Sequence, residues 1–497
     1  MQSNKTPSSA ENLTVETQSV KVRFAPAPTG MMHLGNIRTA LMNYLYARAH
    51  DGTFVLRIED TDPERNFDPG GVIIRDDLAW LDITYDEGPG VGGHNAPYLQ
   101  SERSDLYEDV RQQLEEKGEI YRCFCTTEEL DKKRERQRAL RLPPRYDRTC
   151  ANLSEEEIQK QLEHGAAFVW RLRLNHDKVI TITDLARGTI TFELKNFSDF
   201  PITRQNGTFT FMFANFVDDM LMGITHVLRG EDHLTNTAGQ AALFDALDKP
   251  MPIFWHMPIL CNIDGKKLSK RDFGFSLRDL KEAGFLPEAI DNYLATIGSS
   301  FAEEIMPLKQ LATQVKFGQS AAAQIKYDVD KLKWFNHQWI ISYPPEKLAQ
   351  ACRSFVEARY PDAKKTEDAR LAELLQTIKS DLTTLADSAN ALAFVFNTPQ
   401  PSEADVRACI SPEHRATIAQ IVSNHLDNIA DANTFAAAIK KDAKEQGVPL
   451  KELFWFVRLA LTGKTNGPAI GDLIVMLNAN ESRKRITWTL ESLGRVG

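Results

Sequence analysis

The chain has 497 residues and a formal net charge of −9. This length predicts about three domains, each large enough to bury a core of its own. Hydrophobic residues make up 42% of the chain and charged residues 26%, which is typical of a soluble globular protein. The negative charge disfavours a protein that coats nucleic acid indiscriminately.

The sequence has none of the signals that direct a chain into or across a membrane. No apolar run has the length of a membrane-spanning helix. Residues 1–19 lack the pattern of a signal or transit peptide, so we expect a disordered tail. The six cysteines are too few and too unevenly spaced for a disulfide scaffold, which fits a cytoplasmic location.

Residues 20–95 alternate between strand-like and helix-like segments. The predicted elements are strands at 20–24 and 53–58 and helices at 37–50 and 71–83. This alternation predicts an α/β fold with a doubly wound parallel sheet. Ligands of such sheets bind beyond the carboxyl ends of the strands, where the segments 25–36 and 59–62 fall.

The segment 25–36 reads "APAPTGMMHLGN". Pro26 and Pro28 stiffen the backbone, whereas Gly30 and Gly35 let it bend and leave room for a close approach. Free N–H groups at the start of a helix suit an anion, especially a phosphate. An ordinary glycine-rich turn remains the alternative for this segment alone.

Residues 96–200 break the alternation, and we expect them to be inserted into the sheet domain. A helix is followed by a cysteine cluster and then by the strand-like stretches "AAFVWRLRL", "VITITDL" and "TITFEL". The segment 132–148 holds eight basic residues against two acidic ones, which alone favours a solvated helix face. Asn206 and Gly207 then predict a tight hairpin turn.

The strand–helix pattern resumes with a strand at 224–228 that ends at Arg229. A helix is expected after Asn236 and Thr237, which are both good N-cap residues. From 276 onward the chain reads as almost wholly helical. The expected helix starts are Ser276, Pro287 and, further along, Pro345.

A short basic loop, "DGKKLSKRDFG", occupies residues 264–274. Asp264 and Gly265 form a turn, and four cations follow within six residues: Lys266, Lys267, Lys270 and Arg271. These charges repel one another unless an anion lies among them. Taken alone, an exposed basic loop is the simpler interpretation.

The pair "HLGN" and "KLSKR" resembles the two signature motifs of the class I aminoacyl-tRNA synthetases. Within that class the resemblance is to bacterial-type glutamyl-tRNA synthetase, and it covers almost the whole chain. The stretches that carry it, in family order, are "RFAPAPTGMMHLGNIRTAL", "LRIEDTDPERN", "WLDITYDEGP", "HVLRGEDHLTNT", "DGKKLSKR", "GFLPEAIDNYL", "DKLKWFNHQWI" and "VRLALTGKTNGP".

The resemblance implies a Rossmann-like catalytic domain with an insertion, followed by an all-α region. The expected domains are a disordered tail (1–19), the catalytic domain (20–95 and 201–262), an acceptor-binding insertion with a zinc knuckle (96–200), a lysine-loop and tRNA stem-contact region (263–344) and a helical anticodon-binding domain (345–497). The implied enzyme is a glutamate–tRNA ligase. It uses ATP with Mg²⁺ to form glutamyl-adenylate from L-glutamate and then charges the 3′ end of tRNA-Glu. We expect a monomer, and leave open whether tRNA-Gln is also charged.

The resemblance also implies roles for individual residues. His33 and Lys270 would stabilise the negative charge that develops at the α-phosphorus, and Lys267 would support the loop. Asn36 stands where the fuller motif often has a second histidine. The implied ATP site comprises Pro26, Thr29, Gly30, His33, Gly35, Asn36, Asp232, Leu268, Ser269, Lys270 and Arg271.

The chemistry of free glutamate suggests a pocket of opposite charges. Arg23 can fork onto one carboxylate, Arg229 can bind the other end of the substrate, and Glu59 can pair with the ammonium. A purely structural network of these charges is the alternative. By resemblance, the glutamate site is lined by Arg23, Ala25, Glu59, Phe211 and Arg229. The family usually has a serine at Ala27 and a tyrosine at Phe211, so two hydroxyl groups are absent here.

Cys123, Cys125, Tyr146 and Cys150 have a spacing that suits a structural zinc site. Some relatives carry this Cys-x-Cys and Tyr-x₃-Cys knuckle. Others use a histidine two residues after the last cysteine, where this chain has Asn152. The alternative is three reduced cysteines in a small core.

Three other functions are weighed against a glutamate–tRNA ligase. A related nucleotidyltransferase, or a shortened relative that glutamylates a modified tRNA base, would lack the helical region beyond Pro345. A catalytically inactive RNA-binding paralogue would not need His33, Lys270, Arg23 and Arg229. A glutamine-specific synthetase would carry a β-barrel tail rather than helices.

Overall fold

The computed structural model describes residues 19–298, 301, 303–318 and 324–494. Residues 1–18 of the expected tail lie outside the described residues. The described chain divides into two compact units, one formed by 19–277 with 294–328 and the other by 278–293 with 329–494. Among the described residues, no helix combines the length and the apolar character needed to cross a membrane.

All ten strands of the described residues belong to the first unit. The strands are β1 (Lys21–Phe24), β2 (Thr53–Leu56), β3 (Ile120–Cys123), β4 (Val169–Leu172), β5 (Val179–Asp184), β6 (Gly188–Glu193), β7 (His226–Gly230), β8 (Ile253–Met257), β9 (Leu260–Cys261) and β10 (Ile325–Lys326).

Helices occur throughout the chain. In the part up to residue 314 they are α1 (Leu34–Ala49), α2 (Val72–Trp80), α3 (Ser104–Glu116), α4 (Thr127–Ala139), α5 (Glu155–Glu163), α6 (Phe211–Leu221), α7 (Leu234–Ala246), α8 (Leu277–Glu282), α9 (Pro287–Thr296) and α10 (Leu308–Gln314). The later ones are α11 (Val329–Ser342), α12 (Pro345–Arg359), α13 (Asp368–Ile378), α14 (Asp387–Ala391), α15 (Ala393–Phe396), α16 (Glu403–Cys409), α17 (Arg415–His425), α18 (Ala432–Glu445), α19 (Leu450–Thr462), α20 (Ile470–Leu477) and α21 (Ala479–Gly494).

The predicted parallel α/β sheet is confirmed in the first unit. β1 pairs in parallel with β2, and β7 pairs in parallel with β8. The Thr225 N–H donates to the Lys21 carbonyl at 3.0 Å, so β1 and β7 start side by side. The inner residues of β1 and β2 are buried, as expected of strands covered by helices on both faces.

The hairpin of β5 and β6 falls within the expected insertion at 96–200 and continues this sheet. β5 is antiparallel to β6 and pairs in parallel with β8 at Asp184 and Phe254. Asp184, the last residue of β5, lies level with Phe254 of β8 and Val227 of β7, and its side chain reaches ahead to His256. The predicted turn at Asn206 is also present, with Gly207 at φ +83°.

Two helices of the first unit begin earlier than the sequence predicts. α1 begins at Leu34 rather than 37, because His33 caps it. The prediction that α7 begins after Asn236 and Thr237 is wrong, since the helix begins at Leu234. Thr237 has the side chain of an N-cap residue, but it lies within the first turn, with Oγ1 3.2 Å from the His233 carbonyl oxygen and 2.7 Å from Nε2 of His256.

The second unit is helical, and the predicted starts near Ser276, Pro287 and Pro345 are confirmed by α8, α9 and α12. Its core holds fully buried phenylalanines, including Phe335 and Phe435. The turn after α8 requires glycine. Gly284 has φ +82°, and a Cβ added there would lie 2.5 Å from the Ala386 backbone nitrogen.

This turn predicts an unequal effect of two glycine substitutions in the second unit. Gly284→Ala adds both a left-handed backbone penalty and a backbone clash, so we expect it to lower the free energy of unfolding by about 2–4 kcal/mol. Gly447→Ala is the control, because φ is +68° there and no atom lies within 4 Å of an added Cβ. It should cost about 1–2 kcal/mol. Chemical denaturation followed by tryptophan fluorescence measures both, and equal losses would contradict the account of the turn.

Candidate active site

The N-terminus of α1 carries a histidine whose protonation is set by the backbone. Nδ1 of His33 accepts the N–H groups of Gly35 at 3.1 Å and Asn36 at 3.3 Å. The Asn36 side chain accepts the N–H of His33 in return, which closes a capping box. Because Nδ1 acts as an acceptor, the imidazole proton is placed on Nε2. Burial and the nearby Lys267 charge lower the pKa of His33, so the ring is a neutral Nε2–H donor.

The basic loop is a folded turn with its cations exposed. The Asn262 N–H donates to the Lys266 carbonyl at 2.8 Å, and Gly265 occupies the left-handed position at φ +77°. Asp272 then caps the following turn by accepting the Ser269 N–H at 2.8 Å. Lys267 is exposed and pairs with Asp232 at 2.9 Å. Lys270 and Arg271 are exposed as well, and no ion pair involves them within the described part of the chain.

The structure brings this loop and the start of α1 together. The Leu34 N–H donates to the Phe275 carbonyl, and the Leu277 N–H donates to the Met32 carbonyl, both at 3.0 Å. The His33 ring packs against the Phe275 ring with the centroids 5.1 Å apart. The N–H groups of the first turn of α1 are all used within the protein, so the free N–H groups expected there are absent. A neutral Nε2–H donor at the positive end of a helix and a cationic loop nevertheless lie next to each other, and together they can stabilise a polyphosphate.

Arg23 and Glu59, which the sequence assigns to the substrate, lie in a buried network of charged side chains. Arg23 donates to both carboxylate oxygens of Asp219, from Nε at 3.0 Å and from Nη2 at 3.2 Å. Arg57 lies between Asp219 and Glu59, at 2.7 and 3.0 Å. Glu59 also accepts the Asn215 amide at 2.6 Å. Burial raises the pKa of Glu59. Arg23 and Arg57 lower the pKa of Asp219 despite its burial. Much of the charge in this network is therefore balanced within the protein.

Arg229 differs from the other arginines of the site. It is 6% exposed and lies at the end of β7, opposite His256 of β8. Its Nη2 donates to two neutral oxygens, Oγ1 of Thr237 at 2.6 Å and Oε1 of Gln240 at 2.7 Å. Its Nε is buried without a partner, and within the described residues no carboxylate pairs with it. Burial and the charge of Arg23 lower its pKa to about 9, while nearby carboxylates act in the opposite direction. The guanidinium keeps its proton at neutral pH, so a buried cation without a carboxylate in contact remains.

The other predicted site residues lie on the loops at this edge of the sheet. Ala25 and Ala27 follow β1, and the Pro26 carbonyl accepts the Glu59 N–H at 2.9 Å, which joins the two loops. Phe211 begins α6 and lies 6.1 Å from the His233 ring. Burial and the charge of Arg229 lower the pKa of His233 to about 4. The half-buried Phe211 ring gives this part of the pocket an apolar wall.

The predicted metal ligands also meet. The Sγ atoms of Cys123, Cys125 and Cys150 all lie within 4.8 Å of one another, and those of Cys125 and Cys150 are 3.6 Å apart. The Tyr146 hydroxyl lies 3.3 Å from Sγ of Cys123 and 3.7 Å from that of Cys125. A zinc–sulfur distance of about 2.3 Å in a tetrahedron places sulfurs about 3.8 Å apart, so this spacing fits a four-ligand zinc site.

The charges around the cysteines also fit a metal. The hydrogen bond from Cys150, with further contributions from Tyr146 and Arg171, lowers the pKa of Cys123. The same bond raises the pKa of Cys150, and burial raises that of Cys125, so without a metal one thiolate is favoured among the three. The Arg171 guanidinium lies 4.2 Å from the centre of the Tyr146 ring and offsets the negative charge of the ligands. The donor set can therefore hold a zinc ion.

Sequence reasoning missed the residues that hold the predicted ones in place. Asp219 and Asn215 lie on α6, and Thr237 and Gln240 lie on α7. The one available signal was polarity, since "FMFANFVDDML" carries an asparagine and two aspartates on an otherwise apolar helix. Buried polar side chains of this kind require partners.

Comparisons with known proteins agree with this geometry. Residues 19–334 match the family model of the catalytic domain of class I tRNA synthetases (E and Q), and residues 347–490 match that of an anticodon binding domain. The chain is 38% identical over 485 residues to glutamate–tRNA ligase 2 of Syntrophus aciditrophicus, covering 95% of this chain and 98% of the relative. It is 37% identical over 474 residues to the glutamate–tRNA ligase of Carboxydothermus hydrogenoformans, covering 94% and 99%.

The fold is also similar to a solved structure. The glutamate tRNA ligase of Elizabethkingia meningosepticum, crystallised in complex with its amino acid, superposes with a TM-score of 0.86 at 31% identity. The match covers 96% of this chain and all of the other. The chain thus matches glutamate–tRNA ligases nearly end to end in sequence and, for one solved structure, in fold. This chain belongs to the glutamate–tRNA ligases, a family of class I aminoacyl-tRNA synthetases.

Proposed function

We propose that this protein activates L-glutamate with ATP and transfers it to the 3′ end of tRNA-Glu. The observation that carries the proposal is the apposition of His33, at the start of α1, with the loop that contains Lys267 and Lys270. The glutamate carboxylate attacks the α-phosphorus of ATP, glutamyl-adenylate forms, and pyrophosphate leaves. The protein needs no covalent nucleophile, so its contribution is positioning and charge stabilisation.

The start of α1 and the basic loop would bind the nucleotide. His33 donates from Nε2 to a phosphate oxygen, and the positive end of the α1 dipole favours the same anion. Lys270 stabilises the charge that develops as pyrophosphate leaves. Asp232 holds Lys267 and so fixes the loop. The rest of the proposed ATP site comprises Pro26, Thr29, Gly30, Gly35, Asn36, Leu268, Ser269 and Arg271, and Mg²⁺ would accompany the phosphates.

The unpaired cation at the end of β7 supports glutamate as the amino acid. The Arg229 guanidinium is buried without a carboxylate, so an incoming carboxylate supplies its missing counter-ion. The charge of Arg23 is largely balanced by Asp219, and Glu59 offers a carboxylate for the ammonium. Ala25 and Phe211 form the walls of the site, and the absent hydroxyls at Ala27 and Phe211 remove two polar contacts but leave this charge pattern intact.

We propose roles for the remaining regions from the family to which the chain belongs. The insertion at 96–200, with its basic segment 132–148, would bind the acceptor end of tRNA, and the helical region from 345 would read the anticodon. The region 263–344 would contact the tRNA stem. Zn²⁺ held by Cys123, Cys125, Tyr146 and Cys150 would brace the base of the insertion. The expected monomeric state, the cytoplasmic location and charging of tRNA-Gln stay predictions.

The role of Lys270 predicts a position-specific effect within the loop. Lys270→Ala removes a charge donor to the phosphates, so the rate of tRNA-dependent pyrophosphate exchange should fall by about two to three powers of ten. Lys266→Ala is the matched control, because Lys266 is also an exposed loop lysine and serves the turn only through its backbone. Loss of exchange in both variants to the same extent would show that only the total charge of the loop matters.

The role of Arg229 predicts a change in the binding of glutamate. Arg229→Met removes a charged donor while keeping much of the side-chain volume. The KM for glutamate should rise by about ten- to a hundredfold, which is what one charge-assisted hydrogen bond contributes. Discrimination against glutamine should fall with it. Steady-state charging of tRNA with each amino acid measures both quantities, and an unchanged KM in a folded variant would refute the assignment.

The zinc site predicts about one metal ion per chain in protein purified without chelator, because four ligands complete one tetrahedral site. Chelation or Cys125→Ser should lower the temperature of unfolding, since the binding energy is lost from the folded state. Cys409→Ser is the control, because Cys409 is a buried thiol of the second unit. It should leave the zinc content at the wild-type value. If the purified protein contains no metal and Cys125→Ser leaves its stability unchanged, the three cysteines are only reduced residues of a small core.

A further inference from the structure

Two neutral side chains on one face of α7 hold the unpaired guanidinium of Arg229. Thr237 and Gln240 are three residues apart, so they lie next to each other on the helix surface. Both are almost fully buried, and both accept a hydrogen bond from Nη2 of Arg229. They fix the direction of the arginine without cancelling its charge.

The amide of Gln240 can present only its oxygen to Arg229. Its Nε2 donates to Oδ1 of Asn215 at 2.6 Å, and Nδ2 of Asn215 donates to Oε1 of Glu59 at 2.6 Å. An ionised carboxylate only accepts hydrogen bonds, so Glu59 orients the Asn215 amide, and Asn215 in turn orients Gln240. The chain of bonds leaves the Gln240 oxygen facing the guanidinium.

The hydroxyl of Thr237 is oriented from the opposite side. Nδ1 of the fully buried His256 lies 2.7 Å from Oδ2 of Asp184, and Nε2 lies 2.7 Å from Oγ1 of Thr237. Asp184 also accepts the backbone N–H of His256 at 3.0 Å, so its carboxylate is held in place. The proton of His256 therefore lies on Nδ1, and the bare Nε2 accepts the Thr237 hydroxyl. This turns the lone pairs of Oγ1 toward Arg229.

Arg23, another arginine of this site, differs from Arg229 because its partner is a carboxylate. Its Nε and Nη2 both donate to Asp219, so a carboxylate of the protein balances its charge. Asp219 is itself shared with Arg57. Arg229 lies a strand away and has oxygens at comparable distances, but these oxygens carry no charge.

We propose that Gln240 and Thr237 are specificity-determining positioning residues, whose uncharged oxygens aim Arg229 while leaving its charge for the carboxylate of an acidic amino acid. His256 acts one step further out, through Thr237. This inference deepens the proposed function and rests on it. A carboxylate at position 240 would supply the counter-ion from within and remove the preference for a dicarboxylate substrate.

The test replaces the neutral oxygen by a charged one of the same size. Gln240→Glu in the full chain should raise the KM for glutamate in tRNA charging by about ten- to a hundredfold. The rate at saturating glutamate should change far less than the KM, because the phosphate-binding groups are untouched. The kcat/KM ratio of glutamate to glutamine should fall by about tenfold or more. Gln420→Glu is the control, because it makes the same charge change at an exposed position on α17.

A second pair of variants decides the matter if Gln240→Glu does not fold. Thr237→Val keeps the shape but removes the oxygen, so the glutamate KM should rise, whereas Thr237→Ser should recover most of that loss. Unchanged KM and selectivity in folded Gln240→Glu, or equal KM values for the valine and serine variants, would overturn the inference alone. Failure of the unmodified protein to charge tRNA with glutamate would overturn the proposed function and this inference together.

Discussion

A buried guanidinium without a counter-ion is the constraint on which the amino-acid site depends. Removing an ion from water is costly unless it is paired, and Arg229 receives only neutral oxygens from the protein. The cost is tolerated because neighbouring charges are balanced in pairs, as Arg23 is with Asp219. The protein without substrate therefore has a region of positive potential around Arg229, which an incoming carboxylate neutralises. The same charge provides binding energy for glutamate and selectivity for an acidic side chain.

The parallel sheet explains how residues so distant in sequence reach this cation. β1, β7 and β8 contribute Arg23, Arg229 and His256 near their carboxyl ends, and the side chain of Asp184, at the end of β5, reaches His256 from two residues farther back. The helices that follow or precede these strands supply the acceptors. The same edge carries the start of α1, so the phosphates and the amino acid meet where the adenylate must form.

Local patterns predicted the parts of the structure that are local in sequence. The strand–helix alternation, the starts of α9 and α12 and the cysteine spacing all depend on residues close together in the chain, and the structure bears them out. The start of α7 was predicted wrongly because Thr237 resembles an N-cap residue, whereas its hydroxyl serves Arg229. Only tertiary context distinguishes these two uses of one side chain.

The partners of the site residues could not be predicted from the sequence, because these contacts also depend on tertiary structure. Arg23 and Asp219 are 196 positions apart, and Glu59 and Asn215 are 156 apart. Nothing in a single sequence links such residues. The sequence therefore assigned Arg23 and Glu59 to the substrate without showing that each already bonds to a side chain of the protein. Arg229 was identified by its place at a strand end, but its lack of a counter-ion became visible only with the helices packed around it.

A crystal structure of the protein with glutamate bound tests the central claim most directly. The account predicts that one carboxylate of the substrate lies within hydrogen-bonding distance of the Arg229 guanidinium. Gln240 and Thr237 should still accept from Nη2, and Arg23 should still be paired with Asp219. A glutamate molecule whose carboxylates both avoid Arg229, or an Arg229 that leaves Gln240 and Thr237 to reach it, would contradict the account.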